Sequence, residues 1–127
     1  MGNKYLQGKE LAKLNPDAFN FNKAHFGGTA ERIPASDTFT TYPFEFNLFV
    51  KRPDRNYNDV GEVYAKIDTL RIAAKGDAAE LLSEFLKDGD AIFFTAWIDT
   101  SFCETIAVID SKDDIAQFRR KQKQNVI

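Results

Sequence analysis

The sequence is poor in the residues that usually carry catalysis, metal binding and covalent cross-links. Its 127 residues include one cysteine, Cys103, and one histidine, His25. A single cysteine excludes a disulfide framework within the chain and a zinc site made of several cysteines. With one histidine, the chain has little from which to build a nucleophilic dyad that depends on histidine. The Gly27-Gly28 pair is not followed by a predicted helix, so it does not form a phosphate-binding loop. We therefore expect no enzyme activity, with no catalytic residue, no metal and no cofactor.

Long apolar runs and a strong excess of one charge are also absent. The longest apolar stretches, such as residues 91–94, are far too short to span a bilayer. The N-terminal residues lack the apolar core of a signal peptide, so we expect a cytoplasmic protein without a membrane partner. Seventeen Lys and Arg face nineteen Asp and Glu, a formal net charge of −2. Any attraction to nucleic acid must therefore be local.

What the chain does have is enough apolar material for one folded domain. Hydrophobic residues make up 43% of the sequence, and 12 of the 127 residues are phenylalanine. Composition shifts divide the chain into an N-terminal arm (residues 1–18), a folded domain (19–110) and a basic C-terminal tail (111–127). The length is that of a single domain, since ~100–200 residues is the usual unit.

Apolar and polar residues alternate with a period of two in five segments, and this pattern predicts strands. They cover residues 19–30, 44–50, 63–74, 91–99 and 105–109. Between the third and fourth strands, Asp77 and Glu80 form a capping-box pattern that opens a helix ending near Gly89. We interpret this order as an all-β fold with one helix, a five-stranded, all-antiparallel OB-fold barrel. A flat sheet would leave long phenylalanine-bearing edges unprotected.

The strand pattern also sorts the aromatic residues into inward and outward sets. It places four rings in the core, namely Phe26, Phe46, Phe85 and Phe94. Phe49, Phe93 and Trp97 point outward, where neighbouring rings indicate base stacking or a protein interface. The Gly27-Gly28 pair in the first strand predicts a bulge, a bend or a close backbone approach.

One loop combines the two features that bind single-stranded nucleic acid, cations for phosphates and rings for bases. It runs from residue 51 to 57 and sets Lys51, Arg52, Arg55 and Tyr57 against one acid, Asp54. A solvated hairpin loop explains the same composition. Residues 77–110, by contrast, hold eight acids and one lysine. Phosphate should therefore avoid the helix side.

Several of these segments carry a family likeness. Asn22-Lys23 opens the first strand, residues 46–50 form the second, and Leu70-Arg71-Ile72-Ala73-Ala74-Lys75-Gly76 leads into the helix. Over residues 22–110 this pattern resembles bacterial and phage single-stranded DNA-binding proteins. The resemblance implies an OB-fold protein that coats single-stranded DNA during replication, repair or recombination, with loop 51–57 in the DNA-gripping position. It adds to the expected DNA contacts Lys66, Arg71, Lys75 and Phe102. The period of two places Lys66 and Arg71 on opposite faces of the third predicted strand.

The resemblance also implies that the chain forms a homo-oligomer, and the sequence departs from the family pattern at several positions. The family forms dimers and tetramers through outward barrel faces, which implies a homo-oligomer interface at Phe93, Thr95 and Trp97. Thr69 and Lys75 stand where two stacking aromatics are expected. The family's acidic tail is missing, so partner proteins are not identified. The alternative function is a diverged OB-fold interaction module without DNA binding.

Overall fold

The computed structural model describes Gly8 and residues 11–18, 21–52, 56–57, 63–64 and 66–120. Within these ranges, eight strands and one α-helix follow one another, with short 3-10 turns at Leu11–Lys13, Ala35–Asp37 and Lys112–Asp114. The elements are β1 (Ala24–Arg32), β2 (Phe44–Lys51), β3 (Asn56–Tyr57), β4 (Val63–Tyr64), β5 (Ile67–Ala74), α1 (Gly76–Phe85), β6 (Ala91–Asp99), β7 (Ile106–Ile109) and β8 (Ile115–Arg119). No helix in the described ranges is long and apolar enough to cross a membrane.

Five strands close into a barrel. Hydrogen bonds join them in the order β1-β2-β5-β7-β6, and β6 pairs with β1 again. The helix lies between the third and fourth barrel strands, which confirms the predicted OB-fold. The all-antiparallel prediction is wrong, because β5 and β7 are parallel. The chain crosses over through α1 and β6 before β7, and parallel neighbours need such a crossover connection.

The predicted strand limits agree best with the structure in β2 and β6. The fourth predicted strand matches β6, Ala91–Asp99, and β2 is one residue longer than predicted. The predicted third strand is divided, because Val63–Tyr64 pairs with Asn56–Tyr57 in a separate two-stranded ribbon. The barrel strand β5 begins only at Ile67. The hairpin between β2 and β5 therefore carries a ribbon of its own.

An additional strand lies in the segment that the sequence analysis assigned to a basic tail. Ser111 begins a 3-10 turn, and its hydroxyl accepts a hydrogen bond from the Asp113 backbone N–H at 3.2 Å. Strand β8 then pairs antiparallel with β6 on the edge of the barrel sheet. Charged residues surround Ile115 and Phe118, and their spacing of three does not follow the period of a strand, so the local pattern resembles a solvated tail.

The barrel interior is built from the inward faces predicted by the period of two. Phe46 and Phe94 are fully buried and meet edge to face with ring centroids 6.2 Å apart. Helix α1 contributes Leu82 to the same core, which also contains Leu86 directly after the helix. The prediction that Phe85 is a core residue is wrong, since Phe85 is 46% exposed. Leu82 and Leu86 fill the inward position, whereas Phe85 lies with Leu81, four residues earlier, around a surface pocket that Phe118 and Arg120 also line.

The start of α1 also differs from the prediction. The N-cap is Lys75, which makes no side-chain capping bond, so the proposed Asp77 cap is wrong. The Asp77 carboxylate instead accepts a hydrogen bond from the Lys112 backbone N–H at 2.8 Å. The helix ends at Phe85, and Gly89 lies in the following turn with φ of 90°. The aspartate joins the helix to the segment that leads into β8.

Strand β1 changes partner at Thr29, directly after its two glycines. Ala24–Thr29 pair with β6, whereas Thr29–Arg32 pair with β2. A Cβ atom on Gly28 would collide with the backbone carbonyl of Phe49. A Cβ on Gly27 would meet only the Phe93 ring edge, at 2.8 Å. The predicted close backbone approach is therefore confirmed at Gly28.

This contrast predicts unequal effects of two alanine substitutions. Gly28→Ala should destabilise the protein by ~1–3 kcal/mol, because the β1 and β2 backbones must separate to admit the methyl group. Gly27→Ala should cost less, since a side chain can rotate away. Urea unfolding followed by circular dichroism gives both free energies. Equal stabilities of the two variants would contradict the close approach.

Candidate nucleic-acid interface

Three of the predicted DNA-contacting cations lie together at one end of the barrel. Lys51 ends β2 opposite Ile67, and the Arg52 backbone N–H donates to the Lys66 carbonyl at 2.9 Å. The side chains of Lys51, Arg52 and Lys66 are exposed. Arg55 lies outside the described residues, and of Tyr57 only the backbone, in β3, is described. The structure thus brings the ends of the hairpin, and their positive charge, together.

Arg52 forms an ion pair with Asp68. Its guanidinium donates to both carboxylate oxygens of Asp68, with Nη2–Oδ1 2.9 Å and Nε–Oδ2 3.0 Å apart. These hydrogen bonds hold the pKa of Asp68 below its usual value. Both side chains are about half exposed, so the pair is in solvent and contributes little to stability. Lys51, Arg52 and Lys66 against Asp68 leave a local charge of +2.

An aromatic ring adjoins these cations on the outer face of the barrel. Phe49 is partly buried, and in the strand register it stands beside Thr29 on β1 and Thr69 on β5. Lys51 follows two residues later and therefore extends along the same face of β2. The face that the sequence predicted to carry Phe49 thus offers a ring beside a cation.

Arg71 belongs to a different environment. It ion-pairs with Glu45, with Nη1 and Oε1 3.0 Å apart, and its guanidinium lies over the Phe39 ring at 4.8 Å. The Glu45 side chain is fully buried, and its second oxygen accepts hydrogen bonds from the Thr40 N–H and hydroxyl. Arg71 therefore neutralises a buried carboxylate and fixes the loop before β2. Lys66 lies five residues away, roughly 16 Å along an extended strand.

Phe102 is a packing residue in a second apolar cluster on the outside of the barrel. Its ring meets Tyr42 edge to face, with centroids 5.9 Å apart, and both rings pack against Ile106 and Val108 of β7. The Tyr42 hydroxyl donates to Asp99 at 2.7 Å. The cluster joins the β1–β2 loop to the β6–β7 loop, the two loops that border the binding face of an OB-fold.

The pKa values of Tyr42 and Asp99 are shifted in opposite directions. Burial, and then the hydrogen bond to Asp99, raise the pKa of Tyr42 well above its usual range. Burial acts to raise the pKa of Asp99, but hydrogen bonds from Ser101 and Tyr42 outweigh it and keep the pKa below its usual value. Asp99 is therefore a charged acceptor, and Tyr42 a neutral donor, near neutral pH.

Lys75 lies at the far end of β5 from the hairpin. Its Nζ atom is 3.3 Å from Asp110, which also accepts a hydrogen bond from the Trp97 indole N–H at 2.8 Å. The eight residues of β5 span ~26 Å, so Lys75 and Lys66 do not form one cluster. The predicted DNA-contacting residues therefore divide between the two ends of the barrel and its outer loops.

The three residues of the predicted subunit interface share the outer face of β6. Phe93 is 44% exposed, and its ring stacks on that of His25 at 6.1 Å with an interplanar angle of 9°. The Thr95 hydroxyl lies 3.0 Å from the Nδ1 atom of His25. Trp97 is partly buried against the second cluster. The outward orientation is as predicted, and Phe93 is the most exposed of the three.

The sequence pattern did not reveal that two of the predicted DNA-contacting arginines form ion pairs within the chain, Arg52 with Asp68 and Arg71 with Glu45. Glu45 and Arg71 lie on the outward faces of adjacent strands, separated by two register positions. Oppositely charged residues at such diagonal positions are the available signal. Reading that signal needs the strand register, which the sequence alone did not supply.

No family model and no curated protein matches the sequence. Among solved structures, the chain is similar to a Plasmodium falciparum SSB in complex with ssDNA, at 18% identity and a TM-score of 0.49, covering 81% of this chain and 96% of that one. A small single-stranded DNA-binding protein from Streptomyces coelicolor has the same identity and TM-score, with 80% and 93% covered. One from Mycoplasma pneumoniae has 17% identity and a TM-score of 0.39, with 85% and 95% covered.

The two arginine ion pairs should differ sharply in their effect on stability. Arg71→Met removes the partner of a fully buried carboxylate and should destabilise the protein by ~3–5 kcal/mol. Arg52→Met removes a solvent-exposed pair and should cost less than ~1 kcal/mol. Urea denaturation of the two variants measures this difference. A small loss for Arg71→Met would show that Glu45 does not depend on its arginine.

Proposed function

We propose that this protein binds single-stranded DNA with little sequence preference, through the outer face of β2 and β5 and the hairpin between them. The observation that carries the proposal is the grouping of Lys51, Arg52 and Lys66 at the hairpin end of an OB-fold barrel, beside the Phe49 ring. Strands 2 and 3 of an OB-fold, here β2 and β5, form the surface that binds oligonucleotides. The sequence resemblance to single-stranded DNA-binding proteins supports the same surface.

Charge distribution restricts where DNA can bind. The protein has a net charge of −2, and residues 77–110 hold eight acids against Lys87. The hairpin end carries a local +2 among its described residues, so phosphates are attracted there and repelled from the helix side. Arg55 and Tyr57 belong to the same hairpin, and we assign them an additional phosphate contact and a base-stacking role.

The remaining predicted contacts receive different roles. Arg71 and Phe102 stabilise the loops that border the binding face, because they pack against Glu45 and Tyr42. Lys75 contributes charge at the other end of the barrel. In this function the protein catalyses no reaction. It coats and protects exposed strands in the cytoplasm during replication, repair or recombination.

We further propose that the protein assembles into a homo-oligomer, a dimer or tetramer, through the outer face of β6. Phe93 is a large ring exposed beside His25 and Thr95, and such rings on a strand surface favour subunit contacts. The half-buried Trp97 would lie at the margin of this contact.

A second function remains supported by a specific observation. Two of the predicted DNA-contacting arginines, Arg52 and Arg71, already pair with acids of the same chain. Thr69 and Lys75 also replace aromatic residues that the family resemblance leads us to expect. A diverged OB-fold interaction module that has lost DNA binding would show these features.

The DNA-binding proposal predicts a change in the salt dependence of affinity. Removing one phosphate contact should lower the slope of log K against log salt by ~0.7 for a single strand. Lys51→Ala combined with Lys66→Ala should therefore flatten it by ~1.4. Fluorescence polarisation of labelled oligo-dT, titrated at several salt concentrations, measures the slope.

A matched control removes the same charge elsewhere. Lys87 lies in the acidic segment 77–110, Lys112 directly precedes Asp113 and Asp114, and both lysines are exposed. Lys87→Ala with Lys112→Ala should therefore leave the slope near the wild-type value. If both double variants lower the slope equally, the hairpin is not the contact. Wild-type protein that binds no oligo-dT at low salt would favour the interaction-module function.

The assembly proposal predicts a change of mass when the β6 face is altered. Phe93→Arg should lower the mass measured by multi-angle light scattering, since a buried guanidinium would lack a partner in the interface. Phe85→Arg changes a ring of similar exposure on α1 and should leave the mass unchanged. A wild-type protein that is already monomeric contradicts the proposal.

A further inference from the structure

A concave surface at the opposite end of the barrel from the hairpin combines two aromatic rings with two lysines. Its volume is about 480 Å³, and its lining residues are Phe21, Asn22, Lys23, Lys75, Trp97 and Asp110. Neither Phe21 nor Lys23 belongs to the DNA contacts predicted from the sequence.

The chain next to the most exposed ring of this surface is anchored to β6. Phe21 is 79% exposed and lies just before β1. Next to it, the Asn22 amide donates to the Ile98 carbonyl at 2.7 Å and accepts from the Ile98 N–H at 3.0 Å. The side chain of Asn22 thus bonds to β6 as a neighbouring strand would. Because the backbone is anchored, a ligand that stacks on Phe21 has less conformational entropy to overcome.

The opposite wall is fixed by hydrogen bonds as well. The Trp97 indole donates to Asp110 at 2.8 Å, and the Lys75 ammonium lies 3.3 Å from the same carboxylate oxygen. Asp110 is thereby shared between two donors. Lys23 and Lys75 against Asp110 leave a local charge of +1 on a protein of net charge −2. The surface therefore attracts anions while it presents the face of a ring.

We infer that this surface, which we call the Phe21 site, is a second contact for the same single strand, where Phe21 stacks on a base and Lys23 binds a phosphate. Rings that accept bases and ammonium groups that accept phosphates are the combination that binds single strands. The inference rests on the proposed function and extends its path. A strand that contacts both ends must follow the outer face over the ~26 Å length of β5.

The length of the path gives the inference its test. OB-fold site sizes range over ~4–16 nucleotides, so an oligo-dT of about 6 should occupy the hairpin end alone, and one of about 16 should reach both ends. Phe21→Ala should weaken binding of the long oligonucleotide by roughly 5- to 150-fold, the factor that corresponds to one stacked base. It should leave the short one unaffected.

Trp97 provides an independent signal, because it is the only tryptophan in the chain. Its emission should change when the long oligonucleotide saturates the wild-type protein, and the short one should change it less. Lys23→Ala should lower the salt slope by ~0.7 with the long oligonucleotide only. Phe85→Ala removes another exposed ring, on the acidic helix side, and should change none of these quantities.

The possible outcomes separate the inference from the proposed function. If polarisation shows tight binding of both lengths, while Phe21→Ala and the Trp97 emission show no effect, the Phe21 site is not a contact and the hairpin function stands. If Trp97 emission changes on dilution of the protein but not with DNA, the ring belongs to a subunit interface and the inference is overturned. If neither length binds to the wild type, both are wrong.

Discussion

The change of partner in β1 is the constraint on which the rest of the structure depends. Gly28 lets the strand pass against the Phe49 carbonyl, so that β1 bonds to β6 in its first half and to β2 in its second. Closure gives every barrel strand an inner and an outer face. The inner face buries the Phe46 and Phe94 rings, and the outer face is left for polar and aromatic groups. The adjacent strands β2 and β5 form one wall of this barrel, and their pairing places Lys51 and Lys66 together at its hairpin end.

Much of the fold follows from the local pattern of the sequence. The period of two predicted β6 to the residue and the inward and outward rings of β2, because burial of one face is encoded in neighbouring residues. The parallel pairing of β5 with β7, the divided hairpin strand and β8 were not predicted. Each depends on which strands meet in space, and the alternation of a single strand carries no information about its partner.

The same distinction applies to the candidate site. Positive charge in the hairpin is visible in the sequence, but the Asp68 and Glu45 carboxylates that pair with Arg52 and Arg71 become evident only from the register. Arg71 resembles a DNA contact in the sequence and acts in the structure as the counter-ion of a buried glutamate. The Phe21 site was missed for a related reason, since Asn22 anchors it to Ile98, 76 residues away.

The central claim is that a single strand of DNA follows the outer face of the barrel from the hairpin end. The most direct measurement is a map of backbone amide chemical shifts by nuclear magnetic resonance as oligo-dT is added. The account predicts that the chemical shifts of amides at the hairpin ends of β2 and β5, around Lys51 and Lys66, change. Those of the α1 amides should stay the same. Shifts concentrated on α1, or none at saturating oligo-dT, would contradict it.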